Sequence, residues 1–174
     1  MRAAVLLALL ASACTIEPAP APTNELSAKA RAIDGDTVSI SFRLLGTDAL
    51  ESRQRCQRDG QCHACGKEAQ DYAARLLRAG NATIARTGAM TYGRPVATVA
   101  VDGRDLGEQM IAAGLAIPLY DFLKADPARA TAYRQAFDEA VRTRHGMHAG
   151  EWIAPADWRH GKRLPCERRR RFES

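Results

Sequence analysis

Three short stretches of this chain carry residues able to do chemistry together. Asp34-Gly35-Asp36-Thr37 comes first. Phe42-Arg43-Leu44-Leu45-Gly46-Thr47-Asp48-Ala49-Leu50-Glu51 follows, and then Tyr92-Gly93-Arg94. Asp36 and Asp48 offer hard carboxylate oxygens of the kind that hold calcium or magnesium, and the backbone carbonyl of Ala49 can add another. Glu51 stands close enough to Asp48 to hold a water molecule. Arg43 and Arg94 can form charge-assisted hydrogen bonds to phosphate oxygens. A phosphodiester is anionic and resists attack by water, so its hydrolysis requires charge neutralisation, an oriented nucleophile and a stabilised transition state. A divalent cation meets the first need and lowers the pKa of bound water. The pattern therefore points to phosphodiester hydrolysis.

Each fragment alone has an ordinary reading. Asp34-Gly35-Asp36 is a common turn sequence. Asp48 and Glu51 read as solvated loop acids, and Arg43 as a charged residue guarding a strand edge. The joint occurrence carries the chemical reading.

The elements that must position these residues follow from hydrophobic spacing. Ala28 to Ile33 and Thr37 to Leu45 are expected strands, with Val38, Ile40, Phe42 and Leu44 alternating against polar residues. Asp34-Gly35-Asp36 is the turn between them. Asp48 to Gly66 reads as irregular. Lys67 to Ala79 is an expected helix, with Ala69, Tyr72, Ala73, Leu76 and Leu77 on one face and Gly80 at its end. Ala82 to Arg86 and Arg94 to Val101 are expected strands, and Asp102-Gly103 is a turn. Leu106 to Ala113 is a short helix closed by Gly114, and Leu115 to Leu119 a brief strand. Asp126-Pro127 is an N-cap followed by proline. It opens a helix to about His145 that buries Tyr133, Ala136, Phe137, Ala140 and Val141. Strands and helices do not alternate regularly, so a small antiparallel barrel with packed helices fits better than a parallel sheet. Trp152 and Trp158 read as packing residues. His145, His148 and His160 are too scattered to suggest a metal site.

The pattern of Asp34-Gly35-Asp36-Thr37, Phe42-Arg43-Leu44-Leu45, Asp48-x-x-Glu51, Tyr92-Gly93-Arg94 and Gly114-Leu115-Ala116 with Tyr120 resembles the staphylococcal nuclease (thermonuclease) family. The resemblance runs from about Ala28 to Trp158. It implies an α+β fold that is mainly β with helices, a five-stranded OB-fold barrel with three packed helices. It also implies a calcium-dependent phosphodiesterase that acts on DNA and RNA and leaves 3′-phosphates. Asp36, Asp48 and the Ala49 carbonyl match the family's calcium ligands, and Asp34 a position reaching the metal through water. Glu51 matches the general base or water-orienting residue. Arg43 and Arg94 match the phosphate-binding arginines, and Tyr92 and Tyr120 the tyrosines of the nucleotide pocket. The chain departs from the family pattern in having few residues between Asp36 and Arg43, which demands a tight bend there. It also has Leu50 where the family has proline, which frees the loop before Glu51. A threonine hydroxyl common beside the metal is missing. These departures support a second expectation, a weakly active or inactive OB-fold module that binds nucleic acid in the cell envelope.

The chain's length suits one domain with appendages. Its net charge is +5, and its basic residues are mainly arginine. Arginine pairs well with phosphate, although a basic surface alone is weak grounds for a nucleic-acid partner. Residues 1–13 read as a signal peptide, with an apolar run too short to span a bilayer. Leu10-Ala11-Ser12-Ala13-Cys14 resembles a bacterial lipoprotein signal in which Cys14 is lipidated. The competing reading is plain cleavage after Ala13. The expectation is export, to the periplasm or cell envelope as a lipoprotein or otherwise by secretion, with membrane contact through the lipid anchor. Residues 15–27 form a Pro/Ala-rich tether, 28–160 the folded domain and 161–174 a basic tail. No protein partner is evident.

Cys56, Cys62, Cys65 and Cys166 remain after Cys14. In an oxidising compartment they suggest two disulfides, and the residues alone leave all three connectivities open. Cys62-His63-Ala64-Cys65 also admits a redox pair or a zinc site, a third reading in which the protein is an envelope redox or metal protein. The βαβ context of a redox motif is absent. Exported relatives resembling this chain carry a cysteine after the catalytic glutamate and another before a Gly-x-Glu-Ala helix start. That resemblance implies Cys56–Cys65, and leaves Cys62 for Cys166.

Overall fold

A computed structural model describes residues 26–169. The expected leader (1–13), Cys14, most of the 15–27 tether and the last residues of the tail lie outside them. No helix among the described residues is long and apolar enough to cross a membrane.

The chain begins with a hairpin of β1 (Ala30–Ala32) and β2 (Val38–Ile40). The Asp34 carboxylate closes its turn by accepting bonds from the N–H groups of Asp36 and Thr37. The single expected strand from Thr37 to Leu45 is broken. β2 stops at Ile40, and β3 (Arg43–Leu44) pairs with a different neighbour. β4 (Thr47–Ala49), β5 (Cys56–Arg58) and β6 (Gln61–His63) come next. These strands correct the expectation of an irregular stretch from Asp48 to Gly66. Asp59-Gly60 forms the two-residue turn between β5 and β6, with both φ angles positive at 50° and 74°. Two left-handed residues in succession match the right-handed twist of a hairpin, and Asp-Gly is a favoured pair for them.

Helix α1 (Cys65–Ala79) begins two residues before its expected start. It is followed by β7 (Ala82–Thr91) and β8 (Arg94–Val101), joined at Tyr92-Gly93. β9 (Arg104–Asp105) leads into α2 (Leu106–Ala112), and β10 (Ala116–Pro118) precedes α3 (Pro127–Arg142). Asp126 caps α3 as expected, accepting from the Arg129 N–H at 3.0 Å. Two short helices, α4 (Pro155–Arg159) and α5 (Pro165–Arg169), end the described chain. Mixed strands and packed helices give the expected α+β class.

β3, β8, β7 and β9 form one sheet, with β3 parallel to β8, and β4 pairs antiparallel with β10. The chain passes between these sheets at a corner. The Leu45 N–H bonds Ala97 on one side, and Gly46 accepts from the Leu119 N–H on the other. Gly46 has φ +64°, and a Cβ there would lie 2.4 Å from the Leu123 side chain, so the corner admits only glycine.

The core gathers Leu50, Val99, Val101, Leu106, Met110, Ile111, Leu115, Leu123 and Tyr133. Tyr133 donates to Asp105 at 2.8 Å, and Asp105 also caps α2 by accepting from the Glu108 N–H. Burial pushes the Tyr133 hydroxyl pKa well above its usual value. Of the apolar face expected on α3, Tyr133 and Ala140 are buried, whereas Val141 is 45% exposed. Val141 lies at the margin of the stripe, where helical spacing alone does not separate core from fringe.

The fold continues past residue 160. Leu164 is buried and Cys166 is bonded to Cys62, so the first part of the expected tail is packed. Cys56 is bonded to Cys65. The two disulfides use every cysteine among the described residues and leave no thiolate for a redox or zinc site.

Candidate active site

Asp48 lies in the middle of β4, opposite Ile117 of β10. Pairing on that strand turns its side chain inward, and only 4% of the side chain is exposed. An isolated buried carboxylate is costly, so it needs positive partners. Arg43, on β3 across the Gly46 corner, donates from Nη2 to Asp48 Oδ1 at 3.1 Å. Arg159, at the end of α4, supplies two more bonds: Nη1 to Oδ1 and Nη2 to Oδ2, each 2.9 Å. The same Arg159 Nη1 lies 2.8 Å from Glu51 Oε1. Asp48 and Glu51 therefore converge on one guanidinium. These bonds, chiefly those to Asp48, raise the Arg159 pKa further above its already high value.

The loop carrying Glu51 is fixed from beneath by Gln54, which is fully buried. The Glu51 N–H donates to Gln54 Oε1 at 3.1 Å, and the Gln54 N–H donates back to the Glu51 carbonyl at 2.7 Å. Gln54 Nε2 donates to the Ile153 carbonyl, and the Gln54 carbonyl accepts from the Gly66 N–H at 3.0 Å. Gly66 lets α1 approach this loop, because a Cβ there would fall 1.7 Å from the Glu51 carbonyl oxygen. Leu50, in place of the expected proline, is buried in the core and anchors the loop from the other side.

Arg43, Asp48, Ala49, Glu51 and Arg94 line one open cleft of about 440 Å³. Arg94 enters it from the start of β8, just after the Tyr92-Gly93 turn. Tyr92, at φ +46°, is almost fully exposed. It helps to line an adjoining, more apolar cavity of about 270 Å³ with Arg43, Leu119, Phe122 and Arg159. Tyr120 packs against the core with the Arg134 guanidinium 4.3 Å from its ring centre. Burial raises its hydroxyl pKa.

The structure thus brings together Arg43, Asp48, Ala49, Glu51 and Arg94, with Tyr92 at the border. It leaves Asp34 and Asp36 on the exposed β1–β2 turn. There Asp36 accepts a bond from the Thr37 hydroxyl, and hydrogen bonds led by Thr37 lower the Asp34 pKa. Among the described residues no group of three or more His, Cys, Asp or Glu side chains is arranged to hold a metal ion. Asp48 and Glu51 nevertheless suit a hard cation in kind, being carboxylates that already share one positive group.

Sequence reasoning missed Arg159 and Gln54. Gln54 had a usable signal, a buried-capable amide three residues after Glu51. Arg159 had none, because it is one of many arginines and is far from Asp48 in sequence.

A sequence model of the family described as staphylococcal nuclease homologue matches residues 41–150. No curated protein matches the chain. The matched span contains Arg43, Asp48, Ala49, Glu51, Tyr92, Arg94 and Tyr120, and it excludes Asp34, Asp36 and Arg159.

Proposed function

Because this chain belongs to the staphylococcal nuclease homologue family, we propose that it is a calcium-dependent phosphodiesterase that hydrolyses DNA and RNA and leaves 3′-phosphates. The observation that carries this reading is the cleft in which buried Asp48 and the tethered Glu51 face Arg43 and Arg94. Calcium, when bound, would supply charge neutralisation and a more acidic water. Asp48 would hold it, with Asp36, the Ala49 carbonyl and, through water, Asp34 as the further oxygens that the family pattern assigns. Glu51 orients a water and takes its proton. Arg43 and Arg94 bond the phosphate oxygens and stabilise the charge that accumulates on them. Tyr92 and Tyr120 flank the nucleotide. Residues 1–13 direct export, and Cys14 carries the lipid anchor.

Two observations favour a second reading, a nucleic-acid-binding module of low activity. Both Asp48 oxygens are engaged by Arg159, and Asp36 stands apart on an exposed turn.

The deciding experiment is digestion of single-stranded DNA and of RNA by the purified protein, with calcium and then with a chelator. The enzyme reading expects cleavage that the chelator abolishes. Glu51→Gln and Arg94→Ala should each reduce it by about 10²–10⁴-fold, the range for general-base and charge-stabilising groups. Activity in the wild type no greater than in these variants would leave the binding module as the function.

A further inference from the structure

Arg159 does what a metal ion would do between two carboxylates. Its forked guanidinium meets both oxygens of Asp48, and one nitrogen also reaches Glu51. Bidentate, charge-assisted bonds of this kind are among the stronger polar contacts in proteins. Asp48 is nearly sealed from water, while the Arg159 side chain is 37% exposed. The acid is therefore fixed and the arginine has room to leave.

The presentation of Arg159 is built outside the family segment, which ends at residue 150. Trp158 donates from its indole N–H to Glu167 at 3.0 Å, and the Arg163 guanidinium stacks 3.8 Å from the Trp158 ring centre. Glu167 also accepts from the Arg55 N–H, and Cys166 is bonded to Cys62. The C-terminal segment is thus stapled to the body of the domain so that α4 aims its last residue at the acid pair.

We infer that Arg159 is the resident counter-ion of Asp48 and Glu51 and competes with a divalent cation for them, so that it sets the metal affinity of the site. The inference rests on the proposed reading of Asp48 as a calcium ligand, and it adds Glu51, which shares the same guanidinium, as a second acid within reach of the ion. A cation bound there meets the same carboxylate oxygens and is repelled by a guanidinium that stays. Metal binding therefore carries the cost of breaking the Arg159 bonds, and removing them tightens binding.

The test is calorimetric titration of calcium into the purified protein without nucleic acid. It compares wild type, Arg159→Gln, Arg159→Lys and, as a control on the exposed pair with Asp157, Lys162→Ala. Arg159→Gln should bind calcium about tenfold more tightly or better, the scale set by hydrogen bonds to charged groups. Arg159→Lys keeps the charge but loses the fork and should lie between. Lys162→Ala should match wild type. Melting curves supply a second readout: the calcium-induced rise in Tm should be larger in Arg159→Gln than in wild type. Should Arg159→Gln fail to fold, Arg159→Lys decides. Equal or weaker calcium binding in both Arg159 variants overturns the competition. If calcium binds all proteins equally and still drives cleavage, the inference falls and the nuclease reading stands. If no protein binds calcium, the inference and the calcium dependence fall together.

Discussion

Gln54 and Glu51 hold each other by two hydrogen bonds, one through the Gln54 side chain at 3.1 Å and one between their main chains at 2.7 Å. The side-chain bond constrains the loop that Leu50, in place of proline, would otherwise leave free. Gln54→Met preserves size but leaves the Glu51 N–H and the Ile153 carbonyl without the partner they now have. Two orphaned, partly buried groups should together cost about 1–3 kcal/mol, measurable by urea denaturation. Turnover should fall more than KM rises, because Glu51 is misplaced while the phosphate-binding arginines remain. Unchanged turnover in a folded Gln54→Met protein would show that the amide does not position Glu51.

Asp48 and Glu51 should separate stability from activity. Asp48 is buried beneath Arg43 and Arg159, whereas about a third of the Glu51 side chain is exposed. Asp48→Asn leaves Arg43 without its carboxylate and Arg159 with Glu51 alone. Because those arginines are partly solvated, the loss should be about 1–3 kcal/mol, below the range for a fully buried pair. Glu51→Gln should cost less than about 1 kcal/mol, as exposed pairs do. Both should abolish most cleavage. A similar stability loss in both variants would contradict the burial difference.

Much of this architecture was legible because it rests on local rules. Asp126-Pro127 fixes the start of α3, and the spacing of Ala69, Tyr72, Ala73 and Leu76 marks α1. The β5–β6 hairpin is marked only by its Asp59-Gly60 turn, since short polar strands show no alternation. Arg43, Asp48, Glu51 and Arg94 were identified as a set, and they meet in one cleft. Arg159 was illegible for a physical reason. Its position beside Asp48 arises from the return of the C-terminal segment over the domain, a long-range contact that no local spacing records. Asp36 shows the converse, because an acidic turn can carry the right residues and still stand outside the group.

The Cys62–Cys166 disulfide closes the longer of the two loops, with a sequence separation of 104 against 9 for Cys56–Cys65. In the chain-entropy account, longer loops gain more from closure. Replacing Cys62 and Cys166 with serine should lower stability by about 2–5 kcal/mol. It should also loosen the segment that carries Trp158 and Arg159. The check is a thermal melt combined with limited trypsin digestion. Cleavage after Arg163 or Arg168 should appear in the variant well before the domain itself is cut. Equal protection in both proteins would show that Glu167 and Trp158 hold the segment without the disulfide.

His148 should give the fold a pH dependence that one substitution removes. Its ring is held edge-on between Phe137 (5.1 Å) and Trp152 (5.5 Å), and its buried Nε2 has no hydrogen-bond partner among the described residues. Burial lowers its pKa below the ordinary 6.5. The unfolded chain therefore takes up a proton near pH 6.5, while the folded protein does so only at lower pH. Between those values the unfolded state binds more protons, so stability rises with pH. The contribution is complete above about pH 6.5 and is lost as pH falls through the folded-state value. Melting curves of wild type and His148→Phe from pH 7.5 to pH 5 isolate this effect from the carboxylates common to both. The wild-type Tm should fall more steeply than that of His148→Phe. Parallel curves would mean that the folded protein protonates His148 as readily as the unfolded chain does, so that burial does not lower its pKa.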